Sequence, residues 1–252
     1  MGIVGLGAFG RFMVKHLAPY FSLSGYDRQE PSPELLRRDQ AEALRLAGFD
    51  EVCRADVAVF AVPMESLEEV ARRAAPFLRP GALVVDVTSV KLGPVELLNR
   101  LLPPHVRYFA THPMFGPQSG RDGIAGMRVA VHPARMERER YYAACDFLAI
   151  DLKLSVLRVA PDEHDREMAR VQAATHFISR ALKAVGFAPS PLATKAYDRL
   201  LEFGSIVLSD SWDLFATIQN GNPYAADLRR QLLEELHRLD DQLAGIPDRR
   251  KP

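Results

Sequence analysis

The chain of 252 residues has little cysteine, no long apolar run and no excess charge of either sign. Its two cysteines, Cys53 and Cys145, are too few for a disulfide framework and lack metal-ligand spacing. Both are expected as small buried hydrophobes in a reducing compartment, and no metal is expected. No apolar stretch approaches the roughly 20 residues needed to cross a bilayer, so no membrane partner is expected. Lys plus Arg equals Asp plus Glu at 32 each, which leaves no overall field for nucleic acid or an acidic membrane. Met1–Gly5 already reads as strand and turn, without the charged start of a signal peptide, and a cytoplasmic location is expected. Repeats and low-complexity segments are lacking too.

What is present is an alternation of short β-branched runs with amphipathic stretches. Strands are expected at Gly2–Leu6, Ser22–Asp27, Val57–Val62, Leu83–Val87 and Val106–Ala110, then at Met127–Val131 and Leu154–Val159. Helical patterns fall at Gly7–Leu17, Pro33–Ala47, Ser66–Phe77, Pro94–Leu101 and Arg135–Ala149. The alternation implies an α/β fold with a parallel sheet and right-handed crossovers. Runs such as Val57–Val62 are apolar throughout, as strands covered on both faces must be.

From about Pro161 glycine thins out and helical periodicity takes over, at Pro161–Val185, Pro191–Asn220 and Pro223–Leu243. Val171, Ala174, Phe177, Ile178, Ala181 and Leu182 share one face of the first helix. The second is apolar on more than one face, which favours burial between neighbours or against a second subunit. The expected division is 1–160 for a sheet domain and 161–252 for a helical domain, with a polar, frayed tail from Pro247.

Gly5-Leu6-Gly7-Ala8-Phe9-Gly10 fits the dinucleotide fingerprint, after a strand and opening a helix. The first glycine permits the tight turn, the second the approach of a diphosphate, and the third the contact of helix with strand. The diphosphate would rest on the positive helix N-terminus. Asp27 closes the second strand about 20 residues later, where a carboxylate binds a ribose 2′-hydroxyl and repels a 2′-phosphate. That favours NAD over NADP; Arg28, next to it, is the residue that would accommodate a phosphate. The competing reading makes Asp27 a turn residue. Val62-Pro63 ends the strand at the edge where open α/β sheets bind ligands, or simply terminates it. The architecture is thus a Rossmann-type parallel sheet followed by an all-helical domain.

Asp86-Val87-Thr88-Ser89-Val90-Lys91 closes the next strand at the same edge. Ser89 is placed to bond an imidazole or a substrate hydroxyl, and Lys91 to hold a helix start or a carboxylate. His112 stands in the Pro/Gly-locked loop Thr111–Pro117, where an acid/base group is expected. Gln118 and Ser119 follow it; they contact substrate or merely bond the loop's own backbone.

Together, the glycine fingerprint, Asp86–Lys91 and His112-Pro-Met-Phe-Gly-Pro117 closely resemble the prephenate/arogenate dehydrogenases of tyrosine biosynthesis. The likeness continues at His164-Asp165 and Thr175-His176. It implies oxidation of prephenate's ring hydroxyl by NAD with loss of CO2, His112 acting as base and Ser89 as its orienting partner. It also places His176 in the substrate pocket, though a satisfied core histidine fits that position nearly as well. His164, at a helix start, reads as a brace for that helix. Family members carry an arginine on the second long helix for a substrate carboxylate; Ile206 occupies that position here. Arg199 and Arg180 are the candidate replacements, or else ordinary surface cations. A homodimer through the helical part, with no attached further segment, is expected. Asp122 would serve arogenate's amine, and Trp212 would serve packing. The rivals are a 3-hydroxyacid dehydrogenase-like reductase, for which Lys183 is a poor catalytic lysine, and a catalytically silent NAD-binding regulator.

Overall fold

The computed structural model describes residues 1–29, 43–208 and 210–245. The expected helix from Pro33 and the tail from Pro247 therefore fall largely or wholly outside the described residues. The chain divides into two units, Met1–His164 and Asp165–Pro252, and the division falls inside a helix, Pro161–Met168, rather than at its start.

The first unit is built on eight strands: β1 (Gly2–Val4), β2 (Leu23–Tyr26), β3 (Leu44–Leu46), β4 (Val57–Phe60), β5 (Leu83–Asp86), β6 (Arg107–Pro113), β7 (Arg128–Arg135) and β8 (Ser155–Arg158). Their order is β3-β2-β1-β4-β5-β6-β7-β8. All neighbours are parallel except β6 and β7, which run antiparallel. The expected parallel sheet is thus interrupted at this one pair. Only the loop 114–127 joins the two strands, with no crossover helix, so the chain must fold back on itself. Pairing with β7 also draws His112 into β6, opposite Ala130, instead of leaving it in a loop. Leu44–Leu46 is a strand where a helix to Ala47 was expected, because it extends the ladder beside Leu23–Gly25. Arg135 ends β7 instead of opening a helix.

Register sorts the strand residues by face. Val4, Phe60, Asp86 and Ala110 lie in one cross-strand row, and Ile3, Val59, Val85 and Phe109 in the next, on the opposite face. The first face is covered by α2 (Phe49–Cys53), α3 (Met64–Ala74) and α4 (Leu92–Leu101), which bury Phe60, Leu67, Val84, Leu98 and Tyr108 completely. The second face carries α1 (Ala8–Leu17) and α5 (Arg138–Asp146), the latter running into a π-helical turn at Phe147–Asp151. Cys53 and Cys145 are both buried and free, and burial pushes the Cys53 thiol up to about 12.

The second unit comprises the rest of α6 (Pro161–Met168), a π-helical stretch Ala169–Ala174, α7 (Thr175–Ala184), α8 (Lys195–Leu208), α9 (Trp212–Gly221) and α10 (Ala225–Ala244). The expected second helix, Pro191–Asn220, is broken in two near Ser211, whose hydroxyl caps α9 by accepting from Leu214 N at 3.1 Å. The π stretch resets the helical phase: Val171 is exposed, while Ala169, Ala173, His176 and Ser179 are buried. Among the described residues no helix is long and apolar enough to cross a membrane, and no cluster has the makings of a metal site.

Candidate active site

The glycine loop links β1 to α1. Gly5 takes φ +98°, and a Cβ there would stand 2.4 Å from Ala61 O and 2.9 Å from the Val62 side chain. A Cβ on Gly10 would fall 2.0 Å from Gly5 O, so only glycine lets the helix approach the strand end. Around Gly7, by contrast, nothing lies within 4 Å of a Cβ; the loop is open at the one position where a diphosphate must approach. Helix α1 has no side-chain cap and no acidic residue in its first turn, formed by Ala8, Phe9 and Gly10. Its positive end is uncompensated, as anion binding requires. Asp27 accepts from Leu6 N at 2.7 Å and from Gln29 N at 3.0 Å, tying the end of β2 to the loop. Leu6 N–H is thereby taken, while Arg28 is exposed and Pro63 caps α3.

The ends of β5 and β6 are joined by a buried polar network. Asp86 is fully buried and pairs with Lys91, which is 2% exposed. Lys91 Nζ also donates to Thr88 Oγ1 at 2.9 Å and to Thr111 O at 2.7 Å. Tyr108 OH donates to the other Asp86 oxygen at 2.8 Å, and Thr111 Oγ1 to Asp86 O at 2.7 Å. Lys91 thus holds a carboxylate, that of Asp86, and fixes the backbone of the residue beside His112.

His112 itself is 3% exposed. Its Nδ1 lies 2.9 Å from Nε2 of His164, with the rings edge-on and their centroids 5.1 Å apart. Burial, then His164 and Lys91, hold the His112 imidazole well below its ordinary value, so it is neutral at pH 7. The expected arrangement is corrected on both sides. No hydrogen bond joins half-buried Ser89 to His112 among the described contacts, and His164 serves as the imidazole's partner, not only as a helix brace. The 52 positions between the two histidines explain why sequence spacing does not reveal the pair. Exposed Ser119 accepts from Gly116 N at 3.0 Å, bonding its own loop, and Gln118 is exposed beside it.

In the second unit, His176 is buried, 3.7 Å from the Asp210 carboxylate through Nε2, while its Nδ1 has no partner. Burial, then Arg180, lower its pKa to about 4. Arg180 donates through Nη2 to Asp210 O at 2.9 Å and lies over the Phe215 ring at 4.6 Å; its Nε is buried and unpartnered. Arg199 is exposed on α8, and the side chain of Ile206 lies outside the described residues. Trp212 is exposed by 65% and packs on Phe215.

A family profile described as prephenate dehydrogenase, nucleotide-binding domain, matches residues 10–129, and one described as TYRAAT1-like, C-terminal domain, matches residues 181–250. Over 95% of its length the chain is 33% identical to arogenate dehydrogenase 2, chloroplastic, of Arabidopsis thaliana, of which it spans 66%. It is 29% identical over 97% of its length to arogenate dehydrogenase 1, chloroplastic, of the same plant, of which it spans 39%. It shares its fold with the crystal structure of prephenate dehydrogenase from A. aeolicus in complex with hydroxyphenyl propionate and NAD+ (TM-score 0.72, 18% identity, 96% of this chain and 90% of that one). With Asp27, the Asp86–Lys91 strand end and His112 all inside the matched segment, the chain belongs to the prephenate/arogenate dehydrogenase family.

Proposed function

We propose that this chain is an NAD-dependent dehydrogenase that converts prephenate to 4-hydroxyphenylpyruvate in the cytoplasm, as a step of tyrosine biosynthesis. The observation that carries the reading is the buried His112–His164 pair at the same sheet edge as an open glycine loop. The loop backbone from Gly5 to Gly10 would hold the diphosphate and Asp27 the ribose, with Val62 and Pro63 beside them; the A. aeolicus relative is described with NAD+. Bound there, NAD supplies the hydride acceptor.

His112 takes the hydroxyl proton. In the tautomer that carries its proton on Nδ1 and donates it to His164 Nε2, the lone pair of His112 Nε2 is left for the substrate. A low imidazole pKa keeps that lone pair free at neutral pH but makes a weak base. A weak base suffices here, because loss of CO2 makes the ring aromatic and pulls the step forward. Ser89, not bonded to His112, is assigned to the substrate hydroxyl. For a substrate carboxylate we assign His176 and Arg180, whose Nδ1 and Nε are buried without partners. Arg199, Gln118 and Ser119 are exposed and lesser candidates. Dimerisation is assigned to the helical unit, where Leu233, Leu236, Leu239 and Leu243 form an exposed stripe at helical spacing.

A second reading, arogenate as substrate, is favoured by the names of the two Arabidopsis relatives. Exposed Asp122, 3.2 Å from Arg121, is the carboxylate available for an amine. NADH formation by the purified chain with prephenate and with arogenate tests both. Turnover on one of them is expected, lowered about 10²–10⁴-fold in His112→Asn with NAD affinity kept. Tight NAD binding without turnover on either would overturn the proposal.

A further inference from the structure

The second face of the sheet is unevenly covered. Ala58, Phe60 and Val84 are fully buried on the first face, yet Val57, Leu83, Val85 and Val87 on the second are only half-buried in the middle of the sheet. Central strands of a parallel sheet are ordinarily covered on both faces. Over them lies a cavity of about 350 Å³, lined almost wholly by apolar side chains.

The cavity crosses three successive rows of the sheet: Val57, Leu83 and Arg107, then Val59, Val85 and Phe109, then Val87 and Thr111. At a strand rise near 3.3 Å per residue those rows span ~13 Å. The first row stands at the amino ends of the strands, the opposite edge from the glycine loop. Phe9, Thr111 and Pro113 bring the far end to the carboxyl edge, but Gly5, Gly7, Gly10, Asp27 and His112 do not line the cavity, which is therefore distinct from the dinucleotide site. Along β6 the residues alternate: Phe109, Thr111 and Pro113 face the cavity, while Tyr108 and Ala110 join the other face's core.

The occupant must be small. Helix α1 and the loop after β6 meet through Phe12 and Phe115, with ring centroids 6.2 Å apart. The chain just past α1 meets the π turn through Phe21 and Phe147 at 5.2 Å. A helix, about 10 Å across, does not enter between them. The volume suits a one- or two-ring compound; an apolar cavity of about 150 Å³ already holds benzene. The wall is rich in aromatic edges, from Phe9, Phe12, Phe109 and Phe115, and its polar residues are His16, Thr111, Arg107 and Arg140. His16, on the cavity stripe of α1 with Phe9, Phe12 and Met13, has a buried Nε2 without a hydrogen-bond partner. Its ring lies against Phe12 at 4.7 Å, which fixes it.

We propose that this cavity is a second small-molecule site, distinct from the dinucleotide and His112 sites, which binds a compact aromatic compound bearing one hydroxyl group. The ring fills the space over Val85 and Phe109, and the hydroxyl donates to His16 Nε2. The proposal stands independently of the substrate assignment.

Calorimetric titration of the full chain with 4-ethylphenol and with ethylbenzene tests it. Saturable binding of both is expected, with the phenol about tenfold tighter for one hydrogen bond. His16→Leu should bring the two affinities together. Ala144→Phe and Val85→Phe, which fill the cavity, should abolish binding while NAD binding certifies the fold. A measurement without substitution is NMR of methyl-labelled methionines, in which Met13 and Met136, on the wall, should shift and Met168 should not. Absence of binding to the unmodified chain, equal affinity for the two probes, binding retained in a folded filled variant, or shifts confined to methionines off the wall would each overturn it.

Discussion

The two units solve the problem of burying apolar surface differently. The nucleotide unit packs helices on both faces of one sheet and closes three separate apolar clusters. Among the described residues, the cluster of the helical unit buries Ala173, Ile218 and Ala225 completely, with Leu214 against them. It leaves Leu192, Val185, Trp212 and, on α10, Leu233, Leu236, Leu239 and Leu243 exposed. A sheet concentrates apolar side chains from strands far apart in sequence, whereas a few helices of this length enclose little between them. Both units bury polar groups: Asp86 and Lys91 satisfy each other in the first, where His16 Nε2 and Arg135 Nε lack partners, and His176 Nδ1, Arg180 Nε and Gln172 Oε1 lack them in the second.

The largest expected effect on stability comes from breaking the satisfied network. Lys91→Met leaves the Asp86 carboxylate buried and uncompensated, and should cost about 3–5 kcal/mol in urea unfolding. A loss under about 1 kcal/mol would mean that water reaches Asp86. Next come the apolar contacts. Leu67→Ala in the first unit should cost about 2–5 kcal/mol, whereas Leu236→Ala on α10 should stay within about 0.5 kcal/mol of a monomer's stability. Leu236→Asp should instead lower the sedimentation mass if α10 forms the dimer contact; equal costs for Leu67→Ala and Leu236→Ala would erase the contrast between the units.

Titration gives a subtler separation. His112 and His176 have lowered pKa values in the folded chain, so the unfolded chain binds protons first as pH falls through 6.5. Stability should therefore decline on acidification below about 6.5, through both histidines, with the His176 contribution complete near 4. His176→Gln should flatten the upper part of that curve in thermal melts; an unchanged slope would deny the contribution. The acid limb of kcat/KM should lie below 6.5 if His112 is the base. The smallest expected effect is Gly7→Ala: it fits sterically, so stability should hardly move while NAD affinity falls. Gly10→Ala, by contrast, drives a methyl into Gly5 O and should destabilise the fold.

Much of this was legible in the residues. Apolar runs marked strands at β1, β2, β4, β5 and β6, because periodicity is a local property of the chain. Gly5, Gly7, Gly10 and Asp27 were legible together because a βαβ unit fixes their spacing. The role of Lys91 was half legible, since a carboxylate partner was expected but not Asp86, five residues back on the same strand end. The break between α8 and α9 had its signal in Ser211, a capping residue followed by Asp213 in the first turn, masked by apolar residues on either side.

By itself the sequence determined the glycine loop, most strands of the sheet unit and the chemistry of the residues at its carboxyl edge, all consequences of spacing within a few tens of residues. Tertiary structure alone decided that β7 runs antiparallel to β6, that His112 leans on His164, that a π turn moves Val171 outward and His176 inward, and that one sheet face is left partly open. These depend on which distant segments meet, and local pattern carries no record of that.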